Sequence, residues 1–193
     1  MPLRNEAELV TAAAGGDRGA QNALADDYTP RLRKFAALMG VEDVDDVVQE
    51  SLTEALGSLG SFQGKSKFSS WMISVALNRC RRWHRSKHSR MATSPASKLD
   101  GVDPSLPWKS VLSGLVQKEA ALKIGEALDK LTPIFREAFV LHHLEGMDFK
   151  EIALIADTTV STARVRAHRA KLLLQSDLGA VFATFTGLAS SPE

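Results

Sequence analysis

The chain has 193 residues, with 24 lysines and arginines against 23 aspartates and glutamates, and 44% of its residues are apolar. That length allows one ordinary domain or two small ones, and the apolar fraction excludes a wholly disordered, collagen-like or low-complexity protein. The single cysteine excludes an internal disulfide and a cysteine-rich zinc module, and the net charge of +1 argues mildly against a nucleic-acid-binding protein.

No segment predicts export or membrane insertion. Residues 1–6 lack the apolar core of a secretory signal, and no stretch approaches the roughly 18 uninterrupted apolar residues of a membrane span. We therefore expect a cytoplasmic protein without a membrane span of its own.

Charged residues are segregated into blocks. No lysine or arginine occurs in residues 35–64, which contain the acids Glu42, Asp43, Asp45, Asp46, Glu50 and Glu54. No acid occurs in residues 61–91, which contain eight basic residues, nor in residues 158–176, which contain Arg164, Arg166, Arg169 and Lys171. Because like charges repel, each block needs water or a partner of opposite charge, and the two basic blocks favour a polyanionic partner.

Helical periodicity dominates the first 91 residues, and no alternating strand pattern bounded by hairpin turns occurs. The glycine-containing segment 15–17 separates a first helix from a second. Apolar residues between Val44 and Leu59 recur at spacings of three and four, which predicts one buried helical face. After a polar loop at residues 60–67, another helix begins near Phe68.

The pattern fails over residues 92–117, where prolines stand among serine, threonine, aspartate and glycine, as is typical of a linker. It resumes at about Lys118. Thr132 followed by Pro133 predicts an N-cap and a first helical residue, and that helix ends before Gly146. The sequence thus predicts an all-α protein of two small helical domains joined by a flexible linker.

A helix-turn-helix is predicted near the end of the second domain. Asp148 and Glu151 have the spacing of a capping box, followed by a short helix at 151–156. A turn at 157–159 leads to a longer, arginine-rich helix at 160–174. Two helices joined by a short turn, the second rich in arginine, are the signature of this DNA-binding motif.

The last predicted helix has an apolar face and a basic face. Its inward residues are Ala163, Ala167, Ala170 and Leu174, and its outward residues are Arg164, Arg166, His168, Arg169 and Lys171. Ser161 and Thr162 at its start can donate hydroxyl hydrogens to phosphate, where free backbone N–H groups also favour an anion. This division suits a helix in the major groove, and the alternative is an ordinary surface helix that carries arginine.

The middle basic block differs because aromatic residues, Phe62, Phe68, Trp71 and Trp83, are interleaved with its cations. Unpaired bases stack on such rings while cations hold the backbone, so the block suits single-stranded or melted nucleic acid. The alternative is that Phe68 and Trp71 are core residues. For Trp71, which shares a helical face with Val75, both interpretations stay open.

Three segments resemble bacterial RNA polymerase sigma factors. Residues 46–55, DVVQESLTEA, are similar to DLVQETFLRA of that family. Residues 62–78, FQGKSKFSSWMISVALN, are similar to F-x-G-x-S-x-F-x-x-W-L-x-x-I-A-x-N. EIA at 151–153 and the pattern at 162–171 resemble EIA…GTVKSRLHRAR. The order, the spacing and the two-domain layout are similar to the extracytoplasmic-function (ECF, group IV) subfamily of the sigma-70 family.

The resemblance implies a non-enzymatic factor, without metal or cofactor, that binds core RNA polymerase and directs promoter-specific initiation of transcription. It implies a sigma-2 domain at residues 1–91, a linker at 92–117, a sigma-4 domain at 118–175 and a tail at 176–193. Its partners would be the β′ coiled coil and the β subunit of core polymerase, promoter DNA and an anti-sigma factor.

The resemblance also implies roles for individual residues. The polymerase-binding residues would be Asp46, Gln49 and Glu50. The residues that contact the −10 promoter element would be Phe62, Gln63, Gly64, Lys65, Ser66, Lys67, Trp71, Asn78, Arg79 and Arg82. The residues that contact the −35 element would be Ser161, Thr162, Arg164, Arg166, His168, Arg169 and Lys171.

The chain departs from the family pattern in places. Asp157 replaces the usual turn glycine, and because aspartate tolerates the left-handed conformation better than most residues, we expect the turn to persist. Gln21 replaces an aromatic residue, so the first helices are expected to pack less tightly. In the tail, Val181, Phe182, Phe185 and Leu188 can form a short amphipathic helix, with a frayed terminus as the alternative.

Two other functions remain as alternatives. Cys80, His84 and His88 could serve a metal-responsive regulator, although the third residue lies about 12 Å along the helix from the first. A helix-turn-helix regulator that binds duplex DNA without polymerase would leave the acidic helix unexplained. No glycine-rich phosphate loop, catalytic triad or paired carboxylates indicate an enzyme.

Overall fold

The computed structural model describes residues 5–93 and 118–182. Within these two ranges every regular element is helical, which confirms the predicted all-α class. The chain forms two compact units, one on each side of the predicted linker, and the short segment Ala37–Glu42 clusters with the second unit. No helix in the described ranges is long and apolar enough to cross a membrane.

The first unit begins with two helices that meet at the predicted glycine break. Helix α1 spans Glu6–Ala14 and helix α2 spans Arg18–Leu38. Gly16 has a φ of 91°, which glycine adopts at little cost. The Asp17 carboxylate accepts a hydrogen bond from the backbone N–H of Gly19 at 2.8 Å. This contact satisfies a free N–H group in the first turn of α2.

Polar contacts tie α1 to α2 in addition to apolar packing. The side-chain amide of Gln21, at the position where an aromatic residue was expected, donates a hydrogen bond to the Ala13 carbonyl at 3.1 Å. The Tyr28 hydroxyl donates to the Glu6 carboxylate. Burial and this contact raise the pKa of Tyr28 above its ordinary value, so the hydroxyl stays protonated as a donor.

Helix α3 spans Val44–Gly57, a short 3₁₀ turn spans Leu59–Ser61, and helix α4 spans Phe68–Thr93. Helices α3 and α4 pack against each other, and their apolar faces form much of this unit's core. The buried residues on these two helices include Val47, Val48, Ala55, Met72, Ile73, Leu77 and Cys80. The predicted apolar periodicity of α3 is therefore confirmed. Most of the predicted linker, residues 94–117, lies outside the described residues.

Over residues 118–182, the second unit contains four α-helices. Helix α5 spans Lys118–Lys130, α6 Pro133–Phe139, α7 Phe149–Ile155 and α8 Val160–Leu178. Pro133 opens α6 as predicted, but the α-helix does not continue to Gly146: residues Val140–Leu144 form a π-helical turn instead. Such turns insert an extra residue and often occur near functional sites.

Helix α8 packs against α5, α6 and α7 through the face that the sequence predicts. Ala163, Ala167, Ala170 and Leu174 are all buried, and each is at most 1% exposed. Because three of these four side chains are a single methyl group, the backbones of neighbouring helices can approach closely. Beyond α8, Phe182 is buried with its ring 6.3 Å from that of Phe139. The rest of the predicted tail helix lies outside the described residues.

Candidate polymerase and nucleic-acid interfaces

The outer face of α3 carries the three predicted polymerase-binding residues. Asp46, Gln49 and Glu50 are all exposed, and their spacing of three and four places them on one side of the helix. Ser51 is buried on the other side of α3 and donates its hydroxyl hydrogen to the Val47 carbonyl at 2.6 Å. Helix α3 therefore presents a polar and acidic side while its apolar side is buried against α4.

Part of the acidic block is neutralised within the chain. Arg79 of α4 donates from Nη1 to Glu50 at 3.1 Å and from Nε to Glu54. Arg82 Nη1 lies 3.9 Å from the same Glu54 carboxylate. These ion pairs join residues 25 to 29 positions apart. The charge pattern predicted that the acidic block needs a partner of opposite charge, but not that α4 of the same chain provides part of it. We call Glu50, Glu54, Arg79 and Arg82 the α3–α4 ion-pair cluster.

Asp46 has different surroundings from its acidic neighbours. Asp43 accepts a hydrogen bond from the Trp83 indole at 2.9 Å, and Asp45 pairs with Arg33 at 2.8 Å. Within residues 5–93 and 118–182, Asp46 forms no ion pair with a basic side chain. Its carboxylate is exposed and available to a partner.

The loop between α3 and α4 is supported by an aromatic cluster. Phe62, Phe68 and Trp71 have ring centroids 5.3 to 5.5 Å apart, and the Tyr28 ring lies 5.4 Å from that of Phe68. Phe68 is a core residue at 5% exposure, whereas Phe62 and Trp71 are half-buried. Phe68 is therefore a core residue, whereas Phe62 and Trp71 keep accessible surface on which a base could stack.

The predicted −10 loop borders an open groove of about 540 Å³. Gln63, Gly64 and Ser66 of the loop line it together with Phe62 and with residues at α1. These are the N-cap residue Asn5 and, on α1, Glu6, Ala7, Val10, Thr11 and Ala14. The sequence alone does not predict this contribution of α1, because no local pattern indicates a contact between segments about 50 residues apart. Lys65 and Lys67 are exposed on the same loop.

On α4, the predicted −10 residues Asn78, Arg79 and Arg82 lie 10 to 14 residues after its first residue, Phe68. Asn78 and Arg82 are exposed one helical turn apart, and Asn78 accepts a hydrogen bond from Arg81 at 3.4 Å. Further along, the Lys87 ammonium lies 5.1 Å from the centroid of the Trp83 ring. An exposed amide and several cations therefore extend from the loop along one helix.

The three residues of the metal hypothesis differ in their surroundings. Cys80 is fully buried in the first unit, and His84 packs its ring against Trp83 at 5.0 Å. The His88 side chain lies outside the described residues. Among the parts of the chain that the structure describes, no group of three histidine, cysteine or acidic side chains is placed to hold a metal ion.

The predicted −35 residues lie on α8, the second helix of the helix-turn-helix. The complete capping box of Asp148 and Glu151 begins α7, and Asp157 adopts a φ of 46°, as the left-handed turn requires. The N-cap of α8 is Thr159, whose hydroxyl accepts from the Thr162 N–H at 3.1 Å. Thr162 is thus partly engaged in capping, while Ser161 is exposed.

The basic residues of α8 differ in exposure. Arg164, His168 and Arg169 are exposed, whereas Arg166 and Lys171 are half-buried. The Arg164 guanidinium lies over the Phe149 ring, with Cζ 5.4 Å from the ring centroid. The sequence alone predicts no role for Phe149, because its contact with Arg164 depends on how α7 and α8 pack.

Two adjacent histidines of the π-helical turn lie behind this surface. The His142 ring stacks on Phe149 with centroids 4.0 Å apart, and His142 Nδ1 lies 3.0 Å from the Met147 carbonyl oxygen. His143 packs against Phe139 at 5.0 Å. Burial, and then unfavourable electrostatic interactions with His142 and Lys171, lower the pKa of His143 to about 4. His143 is therefore a neutral ring at physiological pH.

Comparison with known proteins identifies the family. The "Sigma-70 region 2" family matches residues 24–90, and "Sigma-70, region 4" matches residues 121–174. The ECF RNA polymerase sigma-E factor of Salmonella typhimurium is 31% identical over 176 residues, which cover 84% of this chain and 88% of the relative. The Haemophilus influenzae sigma-E factor is 28% identical over 183 residues, covering 88% and 93% of the two chains.

Solved structures show the same fold. CnrH, in complex with the cytosolic domain of CnrY, has a TM-score of 0.63 at 24% identity and covers 89% of this chain and 96% of its own. The sigma factor RpoE of Bartonella quintana, in complex with the anti-sigma factor NepR, has a TM-score of 0.60 at 21% identity and covers 79% and 92%. The chain belongs to the ECF subfamily of the sigma-70 family, and its function is to bind core RNA polymerase and direct promoter-specific initiation of transcription.

Proposed function

We propose that this sigma factor acts from the cytoplasm and divides its task between two domains. A sigma-2 domain at residues 1–91 binds core polymerase and the −10 element, and a sigma-4 domain at residues 118–175 binds the −35 element. The segments at 92–117 and 176–193 serve as linker and tail. Its action consists of binding, without bond chemistry, in keeping with a family of initiation factors that are not enzymes.

The observation that carries the polymerase assignment is the exposed acidic side of α3. Asp46, Gln49 and Glu50 offer two carboxylates and an amide to solvent on one side of a helix that is anchored by its other side. A partner surface rich in arginine and lysine complements such a face, and we assign it to the β′ coiled coil of core polymerase. The β subunit is the second polymerase contact.

The −10 assignment is supported by the open groove beside the loop and by the neighbouring aromatic rings. A cavity of about 540 Å³ is in the range that holds a small organic group such as a nucleobase. Extruding a base costs a few kcal/mol, and stacking on an aromatic ring returns about 1–3 kcal/mol per base. Half-exposed Phe62 and Trp71 can supply stacking, and the exposed cations can hold the backbone. The residues assigned are Phe62, Gln63, Gly64, Lys65, Ser66, Lys67, Trp71, Asn78, Arg79 and Arg82.

The −35 assignment is supported by helix α8. Its alanine face is buried, so the opposite side is free to enter a major groove with its basic side chains toward phosphates and base edges. The residues assigned are Ser161, Thr162, Arg164, Arg166, His168, Arg169 and Lys171.

Run-off transcription with purified core polymerase tests the proposal as a whole. We expect specific transcripts only when the chain is added, from templates that carry its promoter. If core polymerase alone initiates equally well on every template, the proposal fails. Tight and specific binding of the chain to duplex DNA in the absence of polymerase would favour the alternative, a helix-turn-helix regulator that acts without polymerase.

We further propose control by an anti-sigma factor, because a structurally similar sigma factor was solved in complex with one. Affinity purification of the tagged chain from uninduced cells should yield a protein that, when added back, suppresses run-off transcription. Recovery of the chain bound to core polymerase under every growth condition would contradict this form of control.

A further inference from the structure

The stack formed by His142, Phe149 and Arg164 joins the start of α7 to the exposed side of α8. Phe149 is the first residue of α7 and is half-buried. Its ring contacts the His142 ring, with centroids 4.0 Å apart, and the Arg164 guanidinium, whose Cζ is 5.4 Å from the centroid. We call these three residues the Phe149 stack.

Hydrogen bonds fix both the start of α7, which carries Phe149, and the His142 ring that packs against it. The Asp148 carboxylate accepts from the backbone N–H groups of Lys150 and Glu151, each at 2.8 Å, and the Glu151 carboxylate accepts from Asp148 N–H at 3.2 Å. This closed capping box sets where α7 begins and hence where Phe149 lies. His142 is held through the contact of Nδ1 with the Met147 carbonyl at 3.0 Å.

The contact with Phe149 orients Arg164 without using its hydrogen-bond donors. Within residues 5–93 and 118–182, Arg164 forms no ion pair or hydrogen bond through its side chain. A guanidinium over a ring is attracted through the face of its plane, so the N–H groups at its edge stay free. Paired donors at that edge are what bidentate recognition of guanine O6 and N7 in the major groove requires.

We propose that Phe149 is a positioning residue for −35 recognition: it holds the Arg164 guanidinium so that this side chain reads one guanine. The inference rests on the proposed −35 role of α8. A bidentate arginine–guanine contact is worth a preference of roughly 5- to 150-fold over the wrong base. Loss of an exposed cation–π contact should weaken that preference by about two- to fivefold.

The test uses the complete chain assembled with core polymerase and a library of promoter templates with a randomised −35 segment. Sequencing of the transcribed templates gives the base preference at each position. We expect Arg164→Ala to abolish a guanine preference at one position and Phe149→Leu to weaken it two- to fivefold at that same position. Phe149→Tyr, which keeps the ring, should retain the wild-type preference.

Leu178→Ala is the matched control, because it removes buried volume from the same helix 14 residues from Arg164, about 21 Å along the axis. It should lower stability and total transcription while leaving every base preference unchanged. The inference is overturned if Phe149→Leu leaves the preference intact, or lowers preferences at all positions alike. It is also overturned if Arg164→Ala alters no position. Absence of any −35 preference in the wild-type holoenzyme would instead refute the proposed function of α8.

Discussion

Asp46 and Glu50 lie on one side of α3, but their carboxylates differ in their contacts within the chain. Glu50 accepts from Arg79 at 3.1 Å, whereas Asp46 has no basic partner among the described residues. We expect Asp46→Lys to weaken binding to core polymerase by about 2 kcal/mol or more, roughly 30-fold, because a favourable interface charge becomes repulsive. Stability should fall by about 0.3–1 kcal/mol, because Asp46 lies in the first turn of α3, where a negative charge is favourable.

Glu50→Lys should lose stability for a different reason. It should weaken core binding too, but it also places a cation beside Arg79, so the free energy of unfolding should fall by about 0.5–1 kcal/mol. Binding of labelled core polymerase and urea unfolding measure the two effects. The matched control is Asp26→Lys on the exposed side of α2, which makes the same charge change away from α3. Wild-type core affinity in Asp46→Lys would refute the contact.

His143 makes the stability of the second unit depend on pH. Its pKa is lowered to about 4, mainly by burial, from an ordinary value of 6.5. As the pH falls below about 6.5, the unfolded chain binds a proton at this residue while the folded chain does not. The contribution of His143 is therefore complete above about pH 6.5 and is lost progressively toward pH 4.

Replacing this residue should flatten the pH dependence. We expect the midpoint of thermal unfolding of His143→Gln to fall less than that of the wild type between pH 7 and pH 5. His168→Gln, at an exposed position of α8, should retain the wild-type slope. An unchanged slope in His143→Gln would show that other groups cause any acid sensitivity.

At the scale of elements, the turn between α7 and α8 depends on one left-handed residue. Asp157 has a φ of 46°, a conformation in which glycine is unstrained, aspartate is tolerated better than most residues, and alanine is strained. Asp157→Ala should therefore lower the free energy of unfolding by about 1 kcal/mol, and Asp157→Gly should equal or exceed the wild type. In a unit of this size 1 kcal/mol corresponds to about 4–8 °C in the unfolding midpoint.

At a position inside a helix, the alanine variant should instead be more stable than the glycine variant. Gln175 is exposed within α8, so Gln175→Gly should be about 1 kcal/mol less stable than Gln175→Ala. Differential scanning fluorimetry of the four variants compares the two sites directly. If glycine is the worse choice at both positions, the left-handed turn does not limit the stability of the helix-turn-helix.

The elements that could be predicted are those with local causes. Periodicity on α3, the glycine break before α2, the Asp148 capping box and the alanine face of α8 each depend on residues within a few positions of one another. The family motifs likewise placed the candidate residues on α3, in the loop before α4, on α4 and on α8. These features are encoded in short segments, so one sequence suffices to identify them.

What could not be predicted depends on residues far apart in the chain. The ion pairs of Arg79, the α1 side of the groove and the contact of Phe149 with Arg164 all depend on how helices pack, which no local pattern reports. The π-helical turn at Val140–Leu144 also interrupts a helix whose sequence shows no break. The sequence therefore indicated which residues belong to the candidate sites. It did not indicate the contacts between helices that hold those residues in place.

At the scale of the whole molecule, the net charge of +1 conceals two acid-free blocks and one acidic block, and the α3–α4 ion-pair cluster makes part of this cancellation local. Glu50 and Glu54 hold Arg79 and approach Arg82, two of the cations assigned to the −10 element. Without polymerase, these arginines are partly neutralised by the chain itself. The free chain should therefore bind single-stranded DNA weakly.

Removing the two carboxylates should release those cations. We expect Glu50→Gln with Glu54→Gln to strengthen binding of the free chain to a single-stranded oligonucleotide. Each additional phosphate contact should steepen the slope of log affinity against log salt by about 0.7, so two released arginines give up to about 1.4. Fluorescence anisotropy over a salt series measures both quantities.

The control must change net charge equally without touching Arg79. Asp26→Asn with Asp27→Asn does so on the exposed surface of α2, and it should raise affinity slightly through the overall field while leaving the salt slope unchanged. Equal slopes in the two double variants would mean that net charge alone sets DNA affinity. A steeper slope in the Glu50/Glu54 variant alone would mean that pairing between α3 and α4 limits DNA binding before polymerase is engaged.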